Sequence, residues 1–275
     1  MMKFALLASG SKGNCFLFQE ESLFLMIDCG TTKAYLQQCF EQLQLRPEDL
    51  DAVLITHNHT DHVGQIKQFK DHEIYSPVEL KDIKTIPVIP EQKFQIQHVT
   101  VTPLALSHDA PNTVGYILET WQEKLVYITD TGYLKDKYLP LLKGADYIIL
   151  ESNHDVGMLM ETSRPQFLKM RIASDSGHLC NEDAAAVLEQ IVTEKTKRVI
   201  LAHISQEANT REQALNTALE ALKKHAGHLN PDLVISAAGQ YEVLKGGAFN
   251  EKVDLGSCSS TPCMVHLSDV QPEQS

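Results

Sequence analysis

The stretch ITHNHTDHVG, residues 55 to 64, follows an apolar run and gathers His57, His59, Asp61 and His62 within six positions. In an extended segment side chains alternate, so positions 57, 59 and 61 share one side while 62 faces the other. A turn after His59 divides the four donors between two ions, His57 and His59 for one, Asp61 and His62 for the other. Neither pair reaches the four-coordination zinc prefers, nor the three protein ligands plus water of a catalytic zinc. More ligands must therefore come from distant parts of the chain.

Other apolar runs point to where. DAVLIT (51 to 56), KLVYITD (124 to 130), DYIILES (146 to 152) and KRVILAHIS (197 to 205) read as strands buried on both faces. Each carries a polar residue at its end: His57, Asp130, Glu151 and His203. Ligands of open α/β sheets collect at the carboxyl ends of strands, so these four are expected to converge. His108 in LALSHDA is a candidate for the first ion, His203 for the second, and Asp130 in YITDTG for a bridge between metals roughly 3.5–4 Å apart.

Helices are expected over 32 to 44, 181 to 192, and 210 to 225, the last opened by a capping box from Thr210 to Gln213. Shorter strands are expected over 3 to 8, 15 to 19 and 23 to 28. Between the first two, SGSKGN (9 to 14) reads either as a hairpin turn or as a nest of backbone N–H groups for a phosphate. A β-rich front followed by strand and helix alternation suggests a layered α/β sandwich. Asp28 and Thr56 are expected to brace the ligand loop.

A chain of 275 residues that is 43% hydrophobic can bury a sizeable core. One domain over residues 1–245 is expected, with a tail over 246–275 poor in periodicity and lacking fixed structure. No apolar run approaches the roughly 18 residues of a membrane span. Six scattered cysteines without a CxxC pair read as reduced thiols, and the chain reads as soluble and cytoplasmic. A net charge of -12 opposes diffuse attraction to nucleic acid. Lys67, Lys70, Arg164, Lys169 and Arg171 are the cations available near the site segments.

HNHTDH matches an HxHxDH signature, and in this the chain resembles the metallo-β-lactamase-fold hydrolases. His108, Asp130 and His203 stand in the order in which that superfamily supplies its remaining ligands. LLASGSKGNCFLF, LSHDAPNTVGYIL, LESNHDVGML, SDSGHLCNEDAA and LAHISQEANT together resemble the YycJ (also called WalJ) family, over almost the whole chain to about residue 245. The resemblance implies a four-layer αββα sandwich, with two central mixed sheets flanked by helices. It also implies two divalent metal ions, zinc and/or manganese, and a 5′ to 3′ exonuclease on double-stranded DNA, with RNA a further substrate to test.

In such an enzyme a hydroxide held between the metals attacks phosphorus. Asp61 is then both ligand and catalytic group. By resemblance to ribonuclease Z, Glu151 supports His178, which protonates the departing oxygen. The chain departs from the family pattern in being shorter around residues 67 to 85 and in having Ser176 where an arginine is expected. Two other readings use the same motif: a thioester or lactone hydrolase of the glyoxalase II kind, and a non-catalytic metal-binding scaffold. Oligomeric state is not addressed by the sequence.

Overall fold

The computed structural model describes residues 1–249 and 263–269. In chain order the strands are β1 (Lys3–Ala8), β2 (Cys15–Glu20), β3 (Leu23–Ile27), β4 (Ala52–Leu54), β5 (Glu73–Ser76), β6 (Ile86–Pro87), β7 (Phe94–Ile96) and β8 (Val99–Ala105). They continue with β9 (Val114–Glu119), β10 (Lys124–Ile128), β11 (Tyr147–Glu151), β12 (Arg198–Ala202), β13 (Val234–Ala237), β14 (Leu244–Gly247) and β15 (Cys263–His266). The α-helices are α1 (Lys33–Leu43), α2 (Thr60–Val63), α3 (Leu139–Leu142), α4 (Val156–Glu161), α5 (Gln166–Ile172), α6 (Asn181–Ile191) and α7 (Arg211–Lys223).

Two mixed sheets result. One has seven strands in the order β14-β1-β2-β3-β4-β5-β6, and the other eight in the order β15-β13-β12-β11-β10-β9-β8-β7. In the first, β14, β1, β2 and β3 pair antiparallel and β3 to β6 run parallel. In the second, β10 to β13 are parallel and β15 returns antiparallel along β13. This is the α/β class with two mixed sheets and flanking helices that the sequence implied.

Among the described residues the chain forms two compact units. The first comprises residues 1–105, 110–116 and 239–249; the second 106–109, 117–238 and 263–269. In the first, α1 lays Leu36, Cys39, Phe40 and Leu43 onto the seven-stranded sheet, where they join Leu17, Met26, Val53 and Ile55 in one buried cluster. The helix begins where Thr32 accepts from Tyr35 N–H and ends at Gln44 in the left-handed region. In the second, every residue of β11 and β12 is buried, as their unbroken apolar runs require. The N-caps of α6 and α7 are Cys180 and Thr210, the latter accepting from Gln213 N–H as the capping box predicts.

The structure departs from the sequence reading in two places. Gly246 and Gly247 belong to β14 and residues 263–266 to β15, so the segment expected to be irregular supplies part of each sheet. A four-residue edge strand carries too few residues to show periodicity. The remainder of that segment lies outside the described residues. Helices α4 and α5 had no counterpart in the sequence reading, because six- and seven-residue helices span fewer than two turns. Around 67 to 85, where the sequence is shorter than the family pattern, only a single 3-10 turn, Ile66–Phe69, and the short β5 are present. Among the described residues no helix is long and apolar enough to cross a membrane.

Candidate metal centre

In the first unit the donors lie just beyond β4. Ile55 and Thr56 are clamped there: Ile55 carbonyl accepts from the buried Tyr116 hydroxyl at 2.6 Å, and Thr56 carbonyl from Val114 N–H at 3.0 Å. The chain then turns at His59 into α2, with His62 N–H on His59 carbonyl at 2.9 Å. The turn brings the three imidazoles together. His57 and His62 ring centroids are 4.0 Å apart and those of His57 and His59 4.6 Å.

Asp28, fully buried after β3, fixes this loop. Its Oδ2 lies 2.8 Å from His62 Nδ1 and accepts from Thr56 Oγ1 at 2.9 Å, while Oδ1 accepts from Thr56 N–H. His62 Nδ1–H donates to Asp28, which turns Nε2 toward the Asp61 carboxylate, 3.7 Å away. Burial pushes the Asp28 carboxyl up, against the lowering pull of His62.

SGSKGN proves to be a brace and not a phosphate nest. Gly10 N–H is taken by Asn14 Oδ1, Lys12 N–H by Gln240 Oε1 and Gly13 N–H by Gly10 carbonyl, while Asn14 N–H reaches Asp61 carbonyl at 2.8 Å. Asn14 Nδ2 also comes within 2.9 Å of His62 Nε2, a contact that a metal on His62 would replace. At Gly30 a Cβ would overlap the Asp61 carbonyl, so the approach of the two segments requires glycine. The sequence reading assigns Asn14 no role of its own; its place between a glycine-bounded turn and β2 is the one signal that could have marked it.

In the second unit the donors come singly from loops and strand ends. His108 Nδ1 lies 3.1 Å from Gly177 carbonyl, leaving Nε2 facing Asp130 Oδ1 at 3.9 Å. His203 Nε2 stands 3.5 Å from the same oxygen. Burial lowers the His108 pKa, which favours the neutral, ligating ring, although Asp130 pulls the other way. Asn153 donates from Nδ2 to His203 carbonyl at 2.8 Å.

Glu151, with no exposed surface at the end of β11, organises the rest. Its Oε1 lies 2.8 Å from His178 Nδ1 and also 2.8 Å from His203 Nδ1, while Oε2 accepts from Thr131 N–H at 2.8 Å. Burial alone would raise this carboxyl, but the two imidazoles hold it below the usual carboxylate range. Support of His178 was expected; support of His203 by the same oxygen was not. Asp130, Glu151, His178 and His203 each present an atom to one small space.

The donor chemistry fits divalent ions. Two ligands bonded to one zinc at about 2.0–2.1 Å stand roughly 3.3 Å or slightly more apart. The facing atoms within each unit, at 3.5 Å for His203 and Asp130 and 3.7 Å for His62 and Asp61, approach that spacing. They exceed an ordinary hydrogen bond. Of the five cations singled out in the sequence, three are engaged: Arg164 pairs with Glu207, Arg171 with Asp109, and Lys169 donates to Met160 carbonyl.

Asp28, Asp130 and His203 share a further property. Each lies within two residues of a strand end with φ between 55° and 58°. For a residue with a Cβ that left-handed backbone costs about 1–2 kcal/mol.

A fold of this class with His and Asp donors at its strand ends is that of a metallohydrolase, and the Beta-lactamase superfamily domain model matches residues 24–204. The chain belongs to that superfamily, on the branch of the YycJ and WalJ exodeoxyribonucleases. It is 34% identical over 239 residues to Exodeoxyribonuclease YycJ of Bacillus anthracis, covering 81% of this chain and 90% of that one. To Exodeoxyribonuclease WalJ of Streptococcus pneumoniae it is 32% identical over 236 residues, covering 80% and 88%. The crystal structure of the metallo-beta-lactamase fold protein YhfI from Bacillus subtilis superposes with a TM-score of 0.65 at 20% identity, covering 89% and 99%. Membership implies divalent metal ions, which the donors above suit.

Proposed function

We propose that this hydrolase is a metal-dependent phosphodiesterase acting on nucleic acid, and specifically a 5′ to 3′ exonuclease on double-stranded DNA. The observation that carries the reading is the contact of Glu151 Oε1 with His178 Nδ1 at 2.8 Å. A phosphodiester expels an alkoxide, a poor leaving group that needs a proton. A thioester or lactone asks much less of such a histidine. The similarity to YycJ and WalJ, which are named exodeoxyribonucleases, supports DNA as the substrate.

His57, His59 and His108 would hold one ion, and Asp61, His62 and His203 the other, with Asp130 shared. Zinc and manganese both suit such a mixed imidazole and carboxylate set. When bound, the ions supply Lewis acidity toward the phosphate and lower the pKa of a water.

The chain's own groups do the remaining work. His178 donates its Nδ1 proton to Glu151, so Nε2 is the atom that delivers a proton to the departing oxygen. Glu151 fixes the orientation of the His178 ring and, through His203 Nδ1, leaves that ring's Nε2 as the atom for a metal.

The test is incubation of the metal-loaded protein with duplex and single-stranded DNA and RNA labelled at either end. Mononucleotides released first from the 5′ end of duplex DNA are expected. Internal fragments, release from the 3′ end, or preference for RNA would overturn the finer reading. Hydrolysis of thioesters with no phosphodiesterase activity would overturn the whole of it.

A further inference from the structure

Exposed large apolar side chains are few among the described residues, yet four of them, Val156, Met160, Phe167 and Met170, fall within the segment 156–172. Phe167 is 75% exposed and Met170 55%. Three residues apart on α5, they are neighbours on its surface. The opposite face is already used: Ile172 and Leu168 pack with Leu159 of α4 and Ala208. The outward face sets Phe167 and Met170 beside the exposed Gln166 and Arg171, so a ring and a thioether stand together in solvent, a surface that suits an occupant.

The position of this arm says what the occupant is. His178 N–H donates to Ile172 carbonyl, the last residue of α5, at 2.9 Å. A Cβ at Gly177 would overlap the Arg171 and Ile172 carbonyls, so the loop carrying His178 lies directly on the helix end. Arg171 is ion-paired with Asp109, the neighbour of His108. On the other side of that loop, a Cβ at Gly132 would overlap the backbone of Ser174 and Asp175, and the next residue, Tyr133, is 42% exposed. A permanent partner on this surface would border His178, itself partly exposed. A nucleic-acid strand advances about 3.4 Å per nucleotide along the duplex axis, so the nucleotides beside a bond cleaved at His178 must rest on what adjoins it.

We propose that the arm 156–172 is a stacking platform for the bases next to the scissile phosphodiester, with Phe167 and Met170 as its contact residues and Tyr133 at its margin. This rests on the nuclease reading above and names the element that receives the strand. The arm's cations are occupied by Glu207, Asp109 and the Met160 carbonyl. What it offers is rings and thioethers, which suit the faces of bases and not the phosphate backbone. Because every base has a face, such a platform holds a strand end without reading its sequence.

The test compares the metal-loaded parent with Phe167→Ala/Met170→Ala on end-labelled duplex DNA and on bis(p-nitrophenyl) phosphate, which has no bases to stack. The ratio of kcat/KM for DNA to kcat/KM for the small diester should fall about tenfold, through KM for DNA, and Phe167→Trp should keep the parental ratio. Both side chains are exposed, so the fold tolerates the change. An unchanged ratio in the double variant overturns the proposal, as does a shift in oligomeric state, which would assign the face to a second copy of the chain. A parent that hydrolyses the small diester but no nucleic acid strikes the nuclease reading itself, a result distinct from an active parent with an indifferent arm.

Discussion

The two donor sets are built in opposite ways. His57, His59, Asp61 and His62 come from one turn and are steadied by Asp28, Thr56, Asn14 and Gly30, drawn from separate segments. His108, Asp130 and His203 come from three separate segments; the Gly177 carbonyl holds His108, while a single oxygen of Glu151 meets both His203 and the proton donor His178. A contiguous motif localises its ligands by chain geometry and needs support spread around it. A dispersed set is localised by the sheet and can share one central support. The two should therefore fail differently when a support is removed.

The largest effect is expected from the motif's own carboxylate. Asp61→Ala should reduce hydrolysis of duplex DNA and of a simple diester to background and lower the bound metal measured by elemental analysis. Retained activity would remove Asp61 from the catalytic groups. Next comes His178→Ala, for which kcat on DNA should fall about 10²- to 10⁴-fold with metal content unchanged. A drop of less than twofold would favour an easily expelled leaving group and the thioester reading.

The comparison itself is tested by removing one brace from each set. Glu151→Gln should weaken metal affinity by roughly 10- to 100-fold through His203 and also lower kcat at saturating metal through His178. Asp28→Asn should weaken affinity to a similar degree, yet restore nearly full kcat once metal is added in excess. Titration of activity against metal separates the two, and equal kcat losses would show that the supports are not specialised. The smallest change is structural: Gly30→Ala should destabilise the ligand loop by about 1–3 kcal/mol, read as a lower Tm, because its Cβ meets the Asp61 carbonyl.

The difference between the sets also governs what could be read from the chain alone. HNHTDH declared itself because its donors are adjacent. Asp130, Glu151 and His203 were visible as polar ends of unbroken apolar runs, and their grouping followed from parallel strands β10, β11 and β12. His178 has no such marker, and its role came only from resemblance. The second bond of Glu151, to His203, depends on how far a carboxylate reaches across the edge of a sheet, which no spacing along the chain encodes. SGSKGN was ambiguous for the same reason: its N–H groups are taken by Asn14 and Gln240, the latter more than two hundred residues away. Helices α4 and α5 were too short to show a period, and β15 too short and too near the edge.

The left-handed backbone at Asp28, Asp130 and His203 has a consequence for the evolution of the molecule. Glycine would relax each of these positions, as it would Glu21, Gln44, Asp82, Glu91, Gln97 and Asn112, so a selection for thermal robustness alone would not spare the residues of the candidate site. A heat-resistant descendant obtained that way would be expected to have lost its metals.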